Sequence, residues 1–362
     1  MKKFLKPSIN WLFIFIPVSF ALERAHASEP MIFFTAALSI IPIAKLIVHS
    51  TEQLATYTGD AIGGLLNATF GNLPELIIAI IALKAGLYTM VLASIIGAIL
   101  ANLLLALGVS FFIGGIKYHE QEFNPITARL YSTMMVIAVI SMGVPSFFNR
   151  MFGGQDILRQ QALLNVGLAI VLLIGYGLYL FFMIKTHPEF FKSSTSEEQH
   201  EEHTERWSKS KAIIFLVGSS VLAAFMSEVL VGAAEGTGEA LGMSATFIGI
   251  VFLAIVGGAA ESLSAITVAK KNKMDLSVGI LLGSCIQITL FIAPLLVLAS
   301  LIISPEPLFL SFPQAQVGAL FFAVLIGMVV VADGKSNWYK GIQLIAVYLI
   351  IALMFFFMPE VL

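Results

Sequence analysis

The feature that most limits how this chain can fold is a succession of apolar runs, each long enough to cross a bilayer. A transmembrane helix needs about 20 mostly apolar residues. Eleven candidates are legible, near 9-22, 31-49, 62-83, 87-116, 128-148, 161-185, 211-232, 244-269, 275-303, 312-332 and 339-358. They are too long for strands, and lipid tolerates no open sheet edge, so they predict helices. The expected fold class is an all-α polytopic membrane protein. Charged residues make up 12% of the chain, about half the share found in soluble domains, so no large soluble domain is expected. A net charge of -2 gives no nucleic-acid footprint, and the single cysteine, Cys285, cannot form an internal disulfide.

Basic residues orient the spans. With the N-terminus in the cytoplasm, fifteen Lys and Arg fall on inner segments and four (Arg24, Lys84, Arg150, Arg159) on outer ones, with Lys45 inside the second run. That asymmetry supports eleven spans and an outer C-terminus. The first run has a competing reading. Lys2, Lys3 and Lys6, the apolar stretch to Leu22, and Ala25-His26-Ala27 resemble a cleavable signal peptide. An uncleaved first helix is preferred, because the chain keeps these residues.

Two segments repeat. TGDAIGG (Thr58 to Gly64), GNLPELIIAIIALK (Gly71 to Lys84) and GAILANLLLALG (Gly97 to Gly108) match TGEALGM (Thr237 to Met243), GGAAESLSAITVAK (Gly257 to Lys270) and GSCIQITLFIAP (Gly283 to Pro294). Glu75 and Glu261 stand at matching positions, 186 residues apart. They fall in an odd and an even span, so the copies run in opposite directions through the membrane. Inverted repeats with interrupted helices are a signature of secondary transporters, whose sites lie near the midplane. The expected division is an N-terminal helix (1-30), a first five-helix repeat (31-187), an acidic cytoplasmic linker (188-208) and a second five-helix repeat (209-362).

A carboxylate deep in a span is costly, and it is a functional candidate by default. Glu75 and Glu261 have no basic residue at comparable depth in their own spans, so a cation or protons must neutralise them. Gly71 and Pro74 before Glu75, and Gly257-Gly258 before Glu261, predict broken backbone that frees carbonyl oxygens. Calcium takes about 6–8 oxygen ligands. One glutamate pair holds one divalent ion or up to two protons, never both loads in full, and this exclusion is a physical basis for antiport. Ser94, Asn102, Ser284, Gln287 and Thr289 are further polar groups in the neighbouring spans. Asn102 and Gln287 read equally well as supporting ligands or as interhelical glue. Gly97 and Gly283 are expected to allow close helix approach.

These residues resemble the calcium/proton exchanger family of the calcium/cation antiporter superfamily. NATFGNLPELI (Asn67 to Ile77) and GGAAES (Gly257 to Ser262) carry the likeness, which spans residues 31-358. The resemblance implies ten core helices in two inverted five-helix repeats. It implies Glu75 and Glu261 as the pair that binds calcium and protons, with Asn72, Asn102 and Gln287 in support; Gly71, Gly257 and Ser284, from the reading of the breaks and the polar groups, complete the expected site. Two departures stand out. The family usually has asparagine at Gly258 and histidine at Ser262, and Pro74 looks more like the sodium/calcium branch.

The function expected is calcium/proton antiport by alternating access, without a cofactor and without an enzymatic reaction. The alternatives are a sodium- or potassium-coupled calcium exchanger, a monovalent cation/proton antiporter and a cation channel. One central carboxylate from each half argues for a carrier over a channel. The expected location is the plasma membrane, and a homo-oligomer is left open. Glu52 and Asp60 near inner span ends, and Glu228, Glu235 and Glu239 near outer ones, read either as vestibules that focus cations or as ordinary interfacial polarity. The linker places Glu198, Glu201, Glu202 and Glu205 on one helical face. It reads as a solvated tether in preference to a calcium sensor.

Overall fold

The computed structural model describes residues 9–58, 63, 66, 69–152, 158–187 and 206–358. Asp60 and the acidic residues of the linker lie outside them. A short 3-10 turn (Ile9–Ile14) leads into α1 (Phe15–Arg24). There follow α2 (Glu29–Ala55), α3 (Leu73–Lys84), α4 (Tyr88–Tyr118), α5 (Pro125–Phe152), α6 (Leu158–Thr186) and α7 (Lys209–Leu241). The chain closes with α8 (Ala245–Gly257), α9 (Ala259–Lys270), α10 (Met274–Ile303), α11 (Gln314–Val331) and α12 (Trp338–Phe357). Strands β1 (Glu120–Glu122) and β2 (Lys335–Asn337) pair antiparallel.

Among the described residues, eight helices are long and apolar enough to cross a membrane. The α8–α9 pair makes a ninth if counted as one span, bent by 58°. The remaining two of the eleven expected runs correspond to α1 and α3, of 10 and 12 residues.

Hydrogen bonds between loops sort the chain onto two faces. On one, Gln121 Nε2 donates to Ala269 O (3.0 Å) and Asn272 Oδ1 (2.8 Å), Asn124 N donates to Asp275 Oδ1 (2.9 Å), and β1 pairs β2. The end of α2 and the start of α7 meet where Arg206 donates to Thr56 O (2.9 Å) and Tyr57 donates to Trp207 O. This is the ribbon face. On the far face Tyr88 and Ser304 hydroxyls bond at 2.7 Å, Asn149 Nδ2 donates to Ser311 Oγ (2.7 Å), and Phe312 N donates to Ser146 Oγ (2.9 Å). From α2 onward the described helix ends alternate between the two faces. Short α3 therefore carries the chain to the far face, as α9 carries it to the ribbon face. The two helices run in opposite directions.

Small residues allow α4 and α8 to cross closely. A Cβ on Gly97 of α4 would meet the Ile250 backbone of α8, and one on Gly249 would meet Ala93 Cβ at 2.6 Å. Gly283, expected to do the same, has nothing within 4 Å of its Cβ position. It lines a cavity instead.

Candidate ion-binding site

The two glutamates sit on matching breaks. In the first repeat the chain turns at Gly71 and Asn72, and α3 begins at Leu73 with Glu75 in its first turn. In the second it breaks at Gly258, and α9 begins at Ala259 with Glu261 in its first turn. The helix-capping residues have nearly the same backbone: φ -94°, ψ 26° at Asn72 and φ -77°, ψ 6° at Gly258. Both helices have 12 residues. Their N-terminal ends, rich in unsatisfied N–H groups, favour a carboxylate in the first turn.

Pro74 plays a different part from the one expected of a proline inside a span. It lies in the first turn of α3, where the missing N–H has no partner to lose. The break precedes it. Not every carbonyl there is freed: Asn72 O accepts from Leu76 N (3.1 Å), and Gly258 O from Ser262 N (3.0 Å).

A chain of hydrogen bonds joins the two repeats between the carboxyls. Asn72 Nδ2 donates to Gln287 Oε1 (2.7 Å), Ser284 Oγ donates to Asn72 Oδ1 (2.7 Å), and Asn102 Nδ2 donates to Ser284 Oγ (3.0 Å). Asn72, Asn102, Ser284 and Gln287 are all buried. Both supporting helices unwind locally here, in π-helical turns at Ala101–Ala106 in α4 and Ile288–Ile292 in α10. Such turns often mark functional sites. Thr289 stays outside the chain of bonds, its hydroxyl donating to Cys285 O (2.8 Å).

Both oxygens of Glu75, and Oε2 of Glu261, are buried without a hydrogen-bond partner. Orphaned buried carboxyl oxygens are costly unless a proton or cation satisfies them. Gly257 lets the two breaks approach, since a Cβ there would lie 2.8 Å from Glu75 Cγ. A Cβ on Gly258 would meet Glu75 Oε1 at 3.5 Å and Asn102 Oδ1 at 3.6 Å, ordinary contact distances. Among the described residues no group of three His, Cys, Asp or Glu could hold a metal ion. Any cation held here would use the carboxyl pair plus amide and hydroxyl oxygens.

A model of the sodium/calcium exchanger protein family matches residues 29–185 and 211–357. The chain belongs to this family. It is 42% identical over 361 residues to a Ca2+/H+ antiporter of Aphanothece halophytica, covering 97% of this chain and 96% of that one. It is 40% identical to the Ca2+/H+ antiporter ChaA of Bacillus subtilis, covering 94% and 96%. The solved structure of native YfkE superposes with a TM-score of 0.82 at 38% identity, covering 96% of this chain and all of that one.

Access to this family member's carboxyl pair is unequal. Glu261 lines a cavity of about 360 Å3 together with Gly71, Ser284, Gln287 and, toward the ribbon face, Glu52. Glu75 lines a cavity of about 20 Å3, with Ser94 as its other polar residue, room for roughly one water. The outer acidic residues stay apart from both. Glu228 and Glu235 line a far-face crevice with Lys84, and Glu235 and Glu239 line another with Met243 and Phe356. The sequence reading missed Tyr131, Tyr176 and Tyr179, which line the Glu261 cavity. The one available signal was the spacing of Tyr176 and Tyr179, one helical turn apart in an apolar run.

Proposed function

We propose that this protein is a secondary active antiporter that exchanges calcium for protons by alternating access. One observation carries the reading: two glutamates, one from each inverted repeat, lie on matching helix breaks with buried oxygens that lack hydrogen-bond partners. Calcium or protons satisfy those oxygens, and each load excludes the other. Asn72, Asn102, Ser284 and Gln287 supply neutral oxygens once the clasp between the repeats opens. The relatives named as Ca2+/H+ antiporters support the choice of ions.

The exchange unit consists of repeats 31-187 and 209-362, with the linker between them in the cytoplasm. We assign the ribbon face to the cytoplasm, a choice supported by the excess of basic residues on that face, and the membrane to the plasma membrane. Glu52 then gathers cations at the cytoplasmic mouth, and Glu228, Glu235 and Glu239 do so outside. The open passage to Glu261 and the small cavity at Glu75 correspond to a cytoplasm-facing arrangement. The test is calcium flux in proteoliposomes under an imposed pH gradient, repeated with sodium and potassium gradients. Flux driven by the pH gradient alone is the expected result. Flux that needs sodium or potassium overturns proton coupling, and flux without saturation overturns the carrier.

A further inference from the structure

The wall of the passage between Glu261 and the ribbon face has no part in the exchange chemistry described so far. Its phenol groups come from Tyr131 on α5 and from Tyr176 and Tyr179 on α6, beside the hydroxyls of Ser264 and Ser284. Tyr131 and Tyr176 are buried. Tyr131 and Tyr179 hydrogen-bond to each other. The Tyr176 ring stacks on Phe291 of α10, with centroids 5.3 Å apart and planes 28° from parallel. The rings are thus held by their neighbours at the side of a passage with Glu52 toward one end and Glu261 at the other. Among the described residues the cavity beside Glu75 has no counterpart to them, for apart from Glu75 and Ser94 its lining is apolar.

A divalent cation reaching Glu261 carries part of its water shell with it, because two carboxylates cannot supply the 6–8 oxygens calcium takes. A further fixed charge along the passage would hold the ion too tightly, since conduction needs sites weak enough to leave. Neutral phenolic hydroxyls meet both needs. They hydrogen-bond shell water, and their rings narrow the passage without adding charge.

We infer that Tyr131, Tyr176 and Tyr179 form a one-sided access filter that sets how readily a hydrated divalent cation passes from the ribbon face to Glu261. They are positioning residues, acting on the ion's water shell before it meets the carboxyl pair. The inference rests on the exchange reading above.

The experiment measures calcium uptake in vesicles of both orientations, so that each face in turn meets the varied calcium. Wild type is compared with Tyr179→Phe, Tyr131→Phe and the double variant, which keep the rings and remove the hydroxyls. The expected result is a rise of about threefold or more in half-saturating calcium at the ribbon face only. The maximal rate and the far-face value stay within about twofold. Tyr176→Phe is the independent variant should either of the bonded pair fail to fold, and it should shift the same side. Unchanged half-saturation on both faces overturns the filter. So does an equal shift on both faces, which would mark a general effect on the carboxyl site. A wild type that moves no calcium under any gradient overturns the exchange reading together with the filter. A wild type that moves it beside indistinguishable Phe variants overturns the filter alone.

Discussion

The two chain breaks share a backbone and differ in chemistry. At the first, the Asn72 side chain reaches across to Gln287 and Ser284 of the other repeat. At the second, the matching residue is Gly258, whose missing side chain leaves space beside Glu75 and Asn102. The first break is clamped by hydrogen bonds, and the second is held by packing, with Gly257 against Glu75. The cavities differ in the same sense, about 360 Å3 at Glu261 and about 20 Å3 at Glu75. A duplicated backbone can therefore place two equivalent carboxylates while the side chains around them make the two halves unequal. A carrier needs that inequality, because only one side is open at a time.

The largest expected effect would break the equivalence of the carboxylates. Glu75→Gln and Glu261→Gln should each abolish calcium exchange, a loss of more than about a hundredfold, because either change leaves a single charge against a divalent ion. Each protein should still fold, since a buried amide is less costly than an unpaired charge. Calcium flux and thermal unfolding of each variant check this. Near-normal flux in a folded Glu261→Gln protein would show that the second break does not carry the site.

The next change tests packing at the second break. Gly257→Ala should destabilise by about 1–3 kcal/mol, the usual cost of overpacking, and slow transport, because its Cβ would stand 2.8 Å from Glu75 Cγ. Gly283→Ala, with nothing within 4 Å, should be neutral or stabilising by up to about 1 kcal/mol. Equal unfolding temperatures for the two variants would remove the close approach of the breaks.

The clamp at the first break can be sharpened by Ser284→Ala, which removes one donor and one acceptor from the bonds joining Asn72 and Asn102. The expected loss is about 0.6–2 kcal/mol, typical of polar contacts between membrane helices. Gly258→Asn addresses the opposite break. Its Cβ fits at ordinary contact distance, and its amide would add a ligand oxygen, so half-saturating calcium should fall in flux measurements. A rise would mean that the space at Gly258 is needed empty.

The smallest effect lies outside the membrane, in the β1–β2 ribbon and the turn beside it. Lys340 Nζ donates to both Asp333 oxygens at 2.7 Å. Partial desolvation of Asp333 works against ionisation, but the Lys340 hydrogen bond and the Lys335 backbone N–H outweigh it and hold the carboxyl below its usual range. A lowered folded value stabilises above the unfolded value of about 3.9, and that contribution disappears as pH falls through the folded value. Asp333→Asn should cost about 0.2–1 kcal/mol near neutral pH, as for exposed pairs, with wild type and variant converging in strong acid. Unfolding curves across pH that stay parallel would remove this pair as the cause.

The amino-acid sequence by itself determined the helical class and the repeated motifs that carry Glu75 and Glu261. Both follow from short-range rules: apolar length against lipid thickness, and repeated motifs at constant offset. Asn72, Asn102, Ser284 and Gln287 were legible as polar groups in apolar runs, but not as one clasp. Their bonds close over separations of 182 to 215 residues, and no local pattern encodes which amide meets which. The break before Glu75 was legible from Gly71 and Pro74, but not that the helix would restart at Leu73 with Pro74 inside its first turn. The tertiary structure alone decided that Gly97 is a crossing point while its repeat partner Gly283 borders open space. It also decided that Tyr131, Tyr176 and Tyr179 stand by one carboxylate and not the other. The physical reason is that a motif fixes residue type and direction along its own helix, whereas contact and access depend on how helices far apart in the chain pack together.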